Sequence, residues 1–266
     1  MSPAARVKGS YALMLVVVLI SVGLMGFLIT FRIDNESLTG TVVQYAILLL
    51  FSYIVGVMIW RMIGQFYASF KWTQQVISRK NPKLSQHLQS LFPDWETEII
   101  VVEDERFVAL AIGFFRPRIV VSTHVLERFS HLEVKAIMLH ERYHCQHHDG
   151  RILFLSRIMV DAFGYLPIVK PVVRYYETWK ELFADRYAMD QMGTEYYLGN
   201  VLFKLAKHRQ QDQPCRTAVH FASTTLQYRV LQVLEPEKAV SVPLDLVKPL
   251  LRTCSILLLL MIGGDS

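Results

Sequence analysis

Two long apolar stretches dominate the N-terminal quarter of the chain. Residues 11–31 form a run of 21 without a charge, and residues 42–60 a run of 19. As helices, each is long enough to cross a hydrocarbon core of about 30 Å. The first is too long for a removable signal peptide and has no clear small-residue cleavage site. The pattern therefore predicts a membrane hairpin over residues 1–63, with spans at about 11–31 and 42–60. Residues 247–264 are apolar again, but the charge-free part from Thr253 covers only about 18 Å. With Lys248 and Arg252 at a cytoplasmic interface, 247–266 reads as a C-terminal membrane segment. An interfacial or domain-packed helix is the competing reading.

Between these stretches the pattern changes character. Residues 64–92 read as a long helix with a break at Asn81-Pro82. Residues 98–102 alternate poorly but are β-branched and read as a strand. Residues 107–114 and 118–122 are apolar runs joined by a Pro-containing turn, a hairpin pattern. A strand edge just ahead of the next helix can accept an extended peptide. Ser130-His131-Leu132-Glu133 is a capping box. Apolar Leu132, Val134, Ala136, Ile137 and Leu139 follow, so a buried helix is expected to about His147, with Gly150 as its stop. Residues 152–173 are apolar but interrupted by Arg157, Asp161 and Lys170, and Pro167 and Pro171 exclude one straight helix. That segment either dips into a bilayer or packs as core. Helices follow at 176–192 and about 195–209, then a polar loop at 210–214, the expected mobile segment, and a further helix near His220, Tyr228 and Arg229.

The capped helix carries the chemistry. His140-Glu141-Arg142-Tyr143-His144 reads HExxH, and positions four apart on a helix share a face. His140 and His144 can thus offer two imidazoles to one divalent ion, with Glu141 one helical step round as general base. Glu181 lies 37 residues beyond His144, four before Asp185 on the 176–192 helix. As third ligand, Glu181 leaves Asp185 to accept from the non-ligating nitrogen of a histidine, His140 by preference. Three protein ligands with an open position suit one catalytic Zn²⁺ per chain, which lowers the pKa of bound water to about 7. His144 and His148, with Cys145 and His147 nearby, form a more crowded alternative at the helix end. His147 and His148 read as solvent-facing or outer groups. His220, Tyr228 and Arg229 are candidates for the extra oxyanion donor that hydrolysis needs.

Composition supports the membrane reading. The apolar share is 52%, charged residues are 19%, and mean hydropathy is +0.29. Arg6 and Lys8 precede the first span, and Arg61, Lys71, Arg79, Lys80 and Lys83 follow the second, whereas Asp34 and Glu36 outnumber Arg32 between them. The positive-inside rule then places the N-terminus and the domain over 64–246 in the cytoplasm. The net charge of +5 clusters beside the spans, which fits anionic lipid rather than nucleic acid. Three scattered cysteines give no disulfide framework and fit a reducing compartment.

The string from Gly113 to Val121 (Gly-Phe-Phe-Arg-Pro-Arg-Ile-Val-Val), then His140-Glu141-x-x-His144 with Asp149, then Glu181-x-x-Ala184-Asp185, resembles the BlaR/MecR-type membrane zinc metallopeptidases. The last element is also similar to the HtpX and CAAX prenyl protease families. The resemblance covers about residues 61–234. It implies a membrane α-helical protein with a mainly α (α+β), gluzincin-like zinc protease domain and a small sheet before the HExxH helix. It implies His140, His144 and Glu181 as ligands, Glu141 as base, and signal-linked cleavage of a BlaI/MecI-like cytoplasmic repressor. Those receptors add an extracellular penicillin-binding sensor. This sequence ends at Ser266 without an external Ser-x-x-Lys, so a peptidase without that sensor is expected. The expected location is the inner (cytoplasmic) membrane, and a homodimer is compatible with the sequence. The rival readings are a non-proteolytic signalling scaffold, its zinc closed by His147 or Cys145, and a housekeeping protease of membrane proteins.

Overall fold

The computed structural model describes residues 2–31, 38–211 and 216–262. The described residues are mostly helical, with one three-stranded sheet. α1 (Pro3–Phe31) and α2 (Leu38–Ser78) take up the two apolar stretches, and the loop between them lies outside the described residues. The segments long and apolar enough to cross a membrane are Pro3–Leu24 and Leu48–Ser78. The second does not stop at Trp60 as the charge pattern suggests. Residues 61–78 contain no proline, so nothing breaks the backbone ladder there. Trp60, Tyr67 and Phe70 stand exposed on this part of α2, the kind of aromatic group that sits at a membrane interface.

Contacts divide the chain into two units, Met1–Tyr67 with Phe154–Glu177 and Pro243–Ser266, and Ala68–Leu153 with Thr178–Val242. In the first, Met14 and Val18 of α1 pack with Ile158 and Phe163 of α6 (Asp149–Phe163) and with Leu166, Ile168 and Val172. Residues 152–173 are thus packed as core, in two helices. Pro167 falls in the turn, and Pro171 sits in the first turn of α7 (Val169–Met192), where its missing N–H costs no helical bond. α10 (Val247–Ile262) rises about 24 Å over 16 residues, short of a 30 Å core, and Leu250 packs against the same cluster.

The second unit is built around a sheet of order β1-β3-β2, from β1 (Ile99–Val102), β2 (Ala109–Ile112) and β3 (Arg118–Ser122). The expected hairpin is present, with β2 antiparallel to β3 and Ala109 opposite Val121. Gly113 turns it at φ +103, where a Cβ would meet the Arg116 carbonyl at 2.5 Å. β1 is parallel to β3 and buried on both faces. That explains its poor alternation: Ile99 and Val101 enter one cluster, Ile100 and Val102 another. α3 (Pro82–Ser90) covers the outer side of β1, where Ser85 Oγ accepts from Val101 N (2.9 Å) and Gln89 Oε1 from Ile99 N (2.8 Å). Asn81 caps α3, with Pro82 behind it, so the expected break is real. The strand nearest in sequence to the HExxH helix, β3, is therefore central. Among the described residues the edge without a further strand partner belongs to β2, one strand earlier, because the hairpin folds back outside β3.

α4 (Thr123–Arg128) leads into α5 (His131–Gln146), and the capping box forms in both directions, Ser130 Oγ accepting from Glu133 N and Glu133 from Ser130 N. The end of α5 differs from expectation. His148 itself adopts the left-handed conformation at φ +51, and Gly150 is already inside α6. Ala136 and Leu139 of α5 share a core with Ala188 and Met189 of α7, Leu198 and Leu202 of α8 (Tyr196–Gln211), and Val233 of α9 (Arg216–Leu234).

Candidate metal centre

α5 and α7 bring the sequence-predicted residues together. Nε2 of His140 and Nε2 of His144 are 3.1 Å apart. Glu181 Oε2 is 3.4 Å from the first and Oε1 is 3.6 Å from the second. An ion held at about 2.0–2.2 Å by three donors in tetrahedral arrangement needs them about 3.3–3.5 Å apart. The three contacts lie within a few tenths of an ångström of that range, those of Glu181 through its two different oxygens, and among the described residues these three alone form a cluster that could hold a metal ion.

The outward nitrogens of both rings face carboxylates. His140 Nδ1 lies 2.8 Å from Asp185 Oδ1. The approach is short but bent, since Nδ1 has no well-aligned hydrogen-bond partner. His144 Nδ1 lies 2.6 Å from Asp149 Oδ2. Such contacts fix the tautomer with Nε2 toward the metal and raise ligand basicity. Asp185 stands where the sequence spacing put it. Asp149 carried no assigned role, and it reaches His144 only because the left-handed His148 swings the start of α6 back.

Electrostatics agree with a site built for a cation. Burial pushes the His140 imidazole down, but Asp185 and Glu181 outweigh it and hold it up at about 9. Burial opposes the charge on Glu181, yet His140, Arg229 and His144 keep it well below the usual carboxylate range. Asp185 is lowered too, with Arg229 and His140 overcoming its burial.

The remaining candidates fall into place around this centre. Glu141 is buried beside His140 on α5. His147 and His148 are exposed, and His147 Nδ1 donates to the Tyr143 carbonyl at 2.9 Å. Burial, with Glu141 and Asp149, pushes the Cys145 thiol up to about 12. Among the described residues neither His147 nor Cys145 joins the cluster. Arg229 is near, but as an ion-pair partner: Nε is 2.7 Å from Asp185 Oδ2 and Nη1 is 3.3 Å from Glu181 Oε2. Tyr228 is half-buried next to it on α9, and the side chain of His220 lies outside those described.

Comparison with known proteins points the same way. The chain is 24% identical over 159 residues to the regulatory protein BlaR1 of Bacillus licheniformis, a match covering 58% of this chain and 25% of that protein. The aligned part is thus about a quarter of that relative's length. A family model described as BlaR1 peptidase M56 matches residues 10–233, which take in most of α1, all of α2, the sheet and every residue of the His-His-Glu cluster. On that match, the chain belongs to the BlaR1 peptidase M56 family.

Proposed function

We propose that this protein is a membrane-embedded, zinc-dependent endopeptidase of gluzincin-like design, acting in signal transduction. The observation that carries the reading is the clustered donor triplet of His140, His144 and Glu181, with both outward imidazole nitrogens facing carboxylates and Glu141 buried alongside. His140, His144 and Glu181 would hold one Zn²⁺, which when bound acidifies a water and polarises a carbonyl. Asp185 and Asp149 orient the two rings. Glu141 takes the proton of the attacking water and returns it to the leaving amine. The edge of β2, which has no further strand partner among the described residues, is where an extended peptide would add as a strand.

In this reading residues 1–63 form a membrane hairpin and 64–246 a cytoplasmic peptidase domain, with 247–266 at the membrane. The peptidase family supports a protein substrate, and the one proposed here is a cytoplasmic regulatory protein resembling a BlaI/MecI-type repressor. Glu141→Gln should keep zinc and fold while lowering cleavage by about 10²–10⁴-fold, the contribution of a positioned acid–base group. The same variant, used to trap substrate in cells, should capture one dominant regulator. Capture of many unrelated membrane proteins would favour a quality-control protease. Full function of Glu141→Gln in cells would favour a non-proteolytic scaffold.

A further inference from the structure

One face of α9 carries polar groups that the reaction just described leaves without a task. Thr225, Arg229 and Gln232 recur at helical spacing and share that face. Each meets α7. Thr225 Oγ1 is 3.5 Å from Thr178 Oγ1, and Gln232 Nε2 donates to the Leu182 carbonyl at 2.9 Å. Between them Arg229 donates from Nε to Asp185 Oδ2 (2.7 Å) and from Nη2 to Oδ1 (2.8 Å), a bidentate fork. Its third nitrogen, Nη1, faces Glu181 Oε2 at 3.3 Å. That oxygen is the one 3.4 Å from His140 Nε2.

We infer that Arg229 is a positioning residue of the metal centre: its guanidinium sets the separation of Asp185 and Glu181 and so aims Glu181 and His140 at one point. The inference rests on the zinc reading. A free glutamate side chain samples many rotamers, and ordering it costs free energy that metal binding must supply. The guanidinium is planar and rigid, so pairing Asp185 on one edge fixes where Nη1 stands for Glu181. Asp185 in turn is completely buried, which leaves the fork little freedom to swing. A lysine is a point charge on a flexible stem and cannot hold both carboxylates in one geometry. Lys180 does not duplicate the role, because its Nζ is 3.9 Å from the other oxygen of Glu181. With Nε, Nη1 and Nη2 all turned to carboxylates, Arg229 acts through Glu181 and His140 rather than on the substrate.

The test uses the full-length protein in detergent. Zn²⁺ affinity is measured by chelator competition, and coordination by the visible spectrum of the Co²⁺-substituted protein. Arg229→Met should weaken Zn²⁺ binding by about 10–100-fold, as loss of an outer partner of a metal ligand does. It should also change the Co²⁺ bands, and Arg229→Lys should restore affinity only in part. Should Arg229→Met fail to fold with Asp185 left unpaired, the double variant Asp185→Asn/Arg229→Met removes both charges. It should then bind Zn²⁺ more weakly than Asp185→Asn alone. A folded Arg229→Met with wild-type affinity and an unchanged Co²⁺ spectrum overturns the inference, as does a double variant equal to Asp185→Asn. Failure of the zinc reading looks different: the wild type itself then holds no stoichiometric zinc, or His140→Ala binds it equally well.

Discussion

A side chain that is not itself a ligand can still decide how well a metal site binds, and Asp149 would play that part in the proposed centre. Its Oδ2, 2.6 Å from His144 Nδ1, stops the imidazole from turning and keeps Nε2 beside that of His140. Asp149→Ala should leave three ligands in place but lower Zn²⁺ affinity by about 10–100-fold. Chelator competition measures this, and an affinity equal to wild type would count against the role. His140, His144, Glu181 and Asp185 were readable from spacing, since four residues along a helix return the chain to one face. Asp149 was not, because its reach depends on His148 entering the left-handed region while Gly150 nearby suggests a different helix stop. Arg229 was readable as a candidate oxyanion donor, but not as the ion-pair partner of Asp185 and Glu181. A donor for substrate and a partner for Asp185 look alike until the orientation of α9 toward α7 is known.

The same rule governs the elements: local signals were legible, the long-range pairing was not. Ser130 and Glu133 announce the start of α5, and both halves of the capping box form. Ser130→Ala should cost about 1 kcal/mol, seen as a lower midpoint in thermal or denaturant unfolding. Glu133 adds a pH signature. Burial opposes its charge, but Lys204, at 2.8 Å from both carboxylate oxygens, and the Ser130 backbone N–H hold its pKa below the ordinary 4.5. A lowered pKa contributes stability that is complete above 4.5 and lost as pH falls through the folded-state value. Stability measured from pH 6 downward should therefore fall less steeply in Glu133→Gln than in wild type. Equal slopes would mean the pair carries no such linkage. The strands tell the other half of the story. β2 and β3 pair across a turn the sequence shows, whereas the parallel partnership of β1 with β3 leaves no local trace. Only the double burial of Ile99 to Val102, visible as an unbroken apolar run, hints at it.

At the scale of the whole molecule, hydropathy and charge make separate statements that one experiment can join. Hydropathy gives two helical segments of crossing length, Pro3–Leu24 and Leu48–Ser78, and the second exposes nearly all of its apolar surface. Leu49, Tyr53 and Trp60 are 72%, 70% and 76% exposed, a surface that water would oppose and lipid would accept. Charge supplies the proposed direction: Arg6 and Lys8 at one end and Arg79, Lys80 and Lys83 beyond the other are the flanks that the positive-inside rule assigns to the cytoplasm. The sequence could not show that residues 152–173 pack with α1, since an apolar run interrupted by charges suits a membrane dip or a core equally. With Cys145, Cys215 and Cys254 replaced, a single cysteine at position 35, between α1 and α2, should react in intact cells with a thiol reagent that cannot cross the membrane. A cysteine at position 83, at the start of α3, should react only after the cells are opened. Labelling of position 83 in intact cells would put the His-His-Glu centre on the outer side, where it could not meet a cytoplasmic regulator. The proposed metal chemistry would survive that result, but the proposed substrate would not.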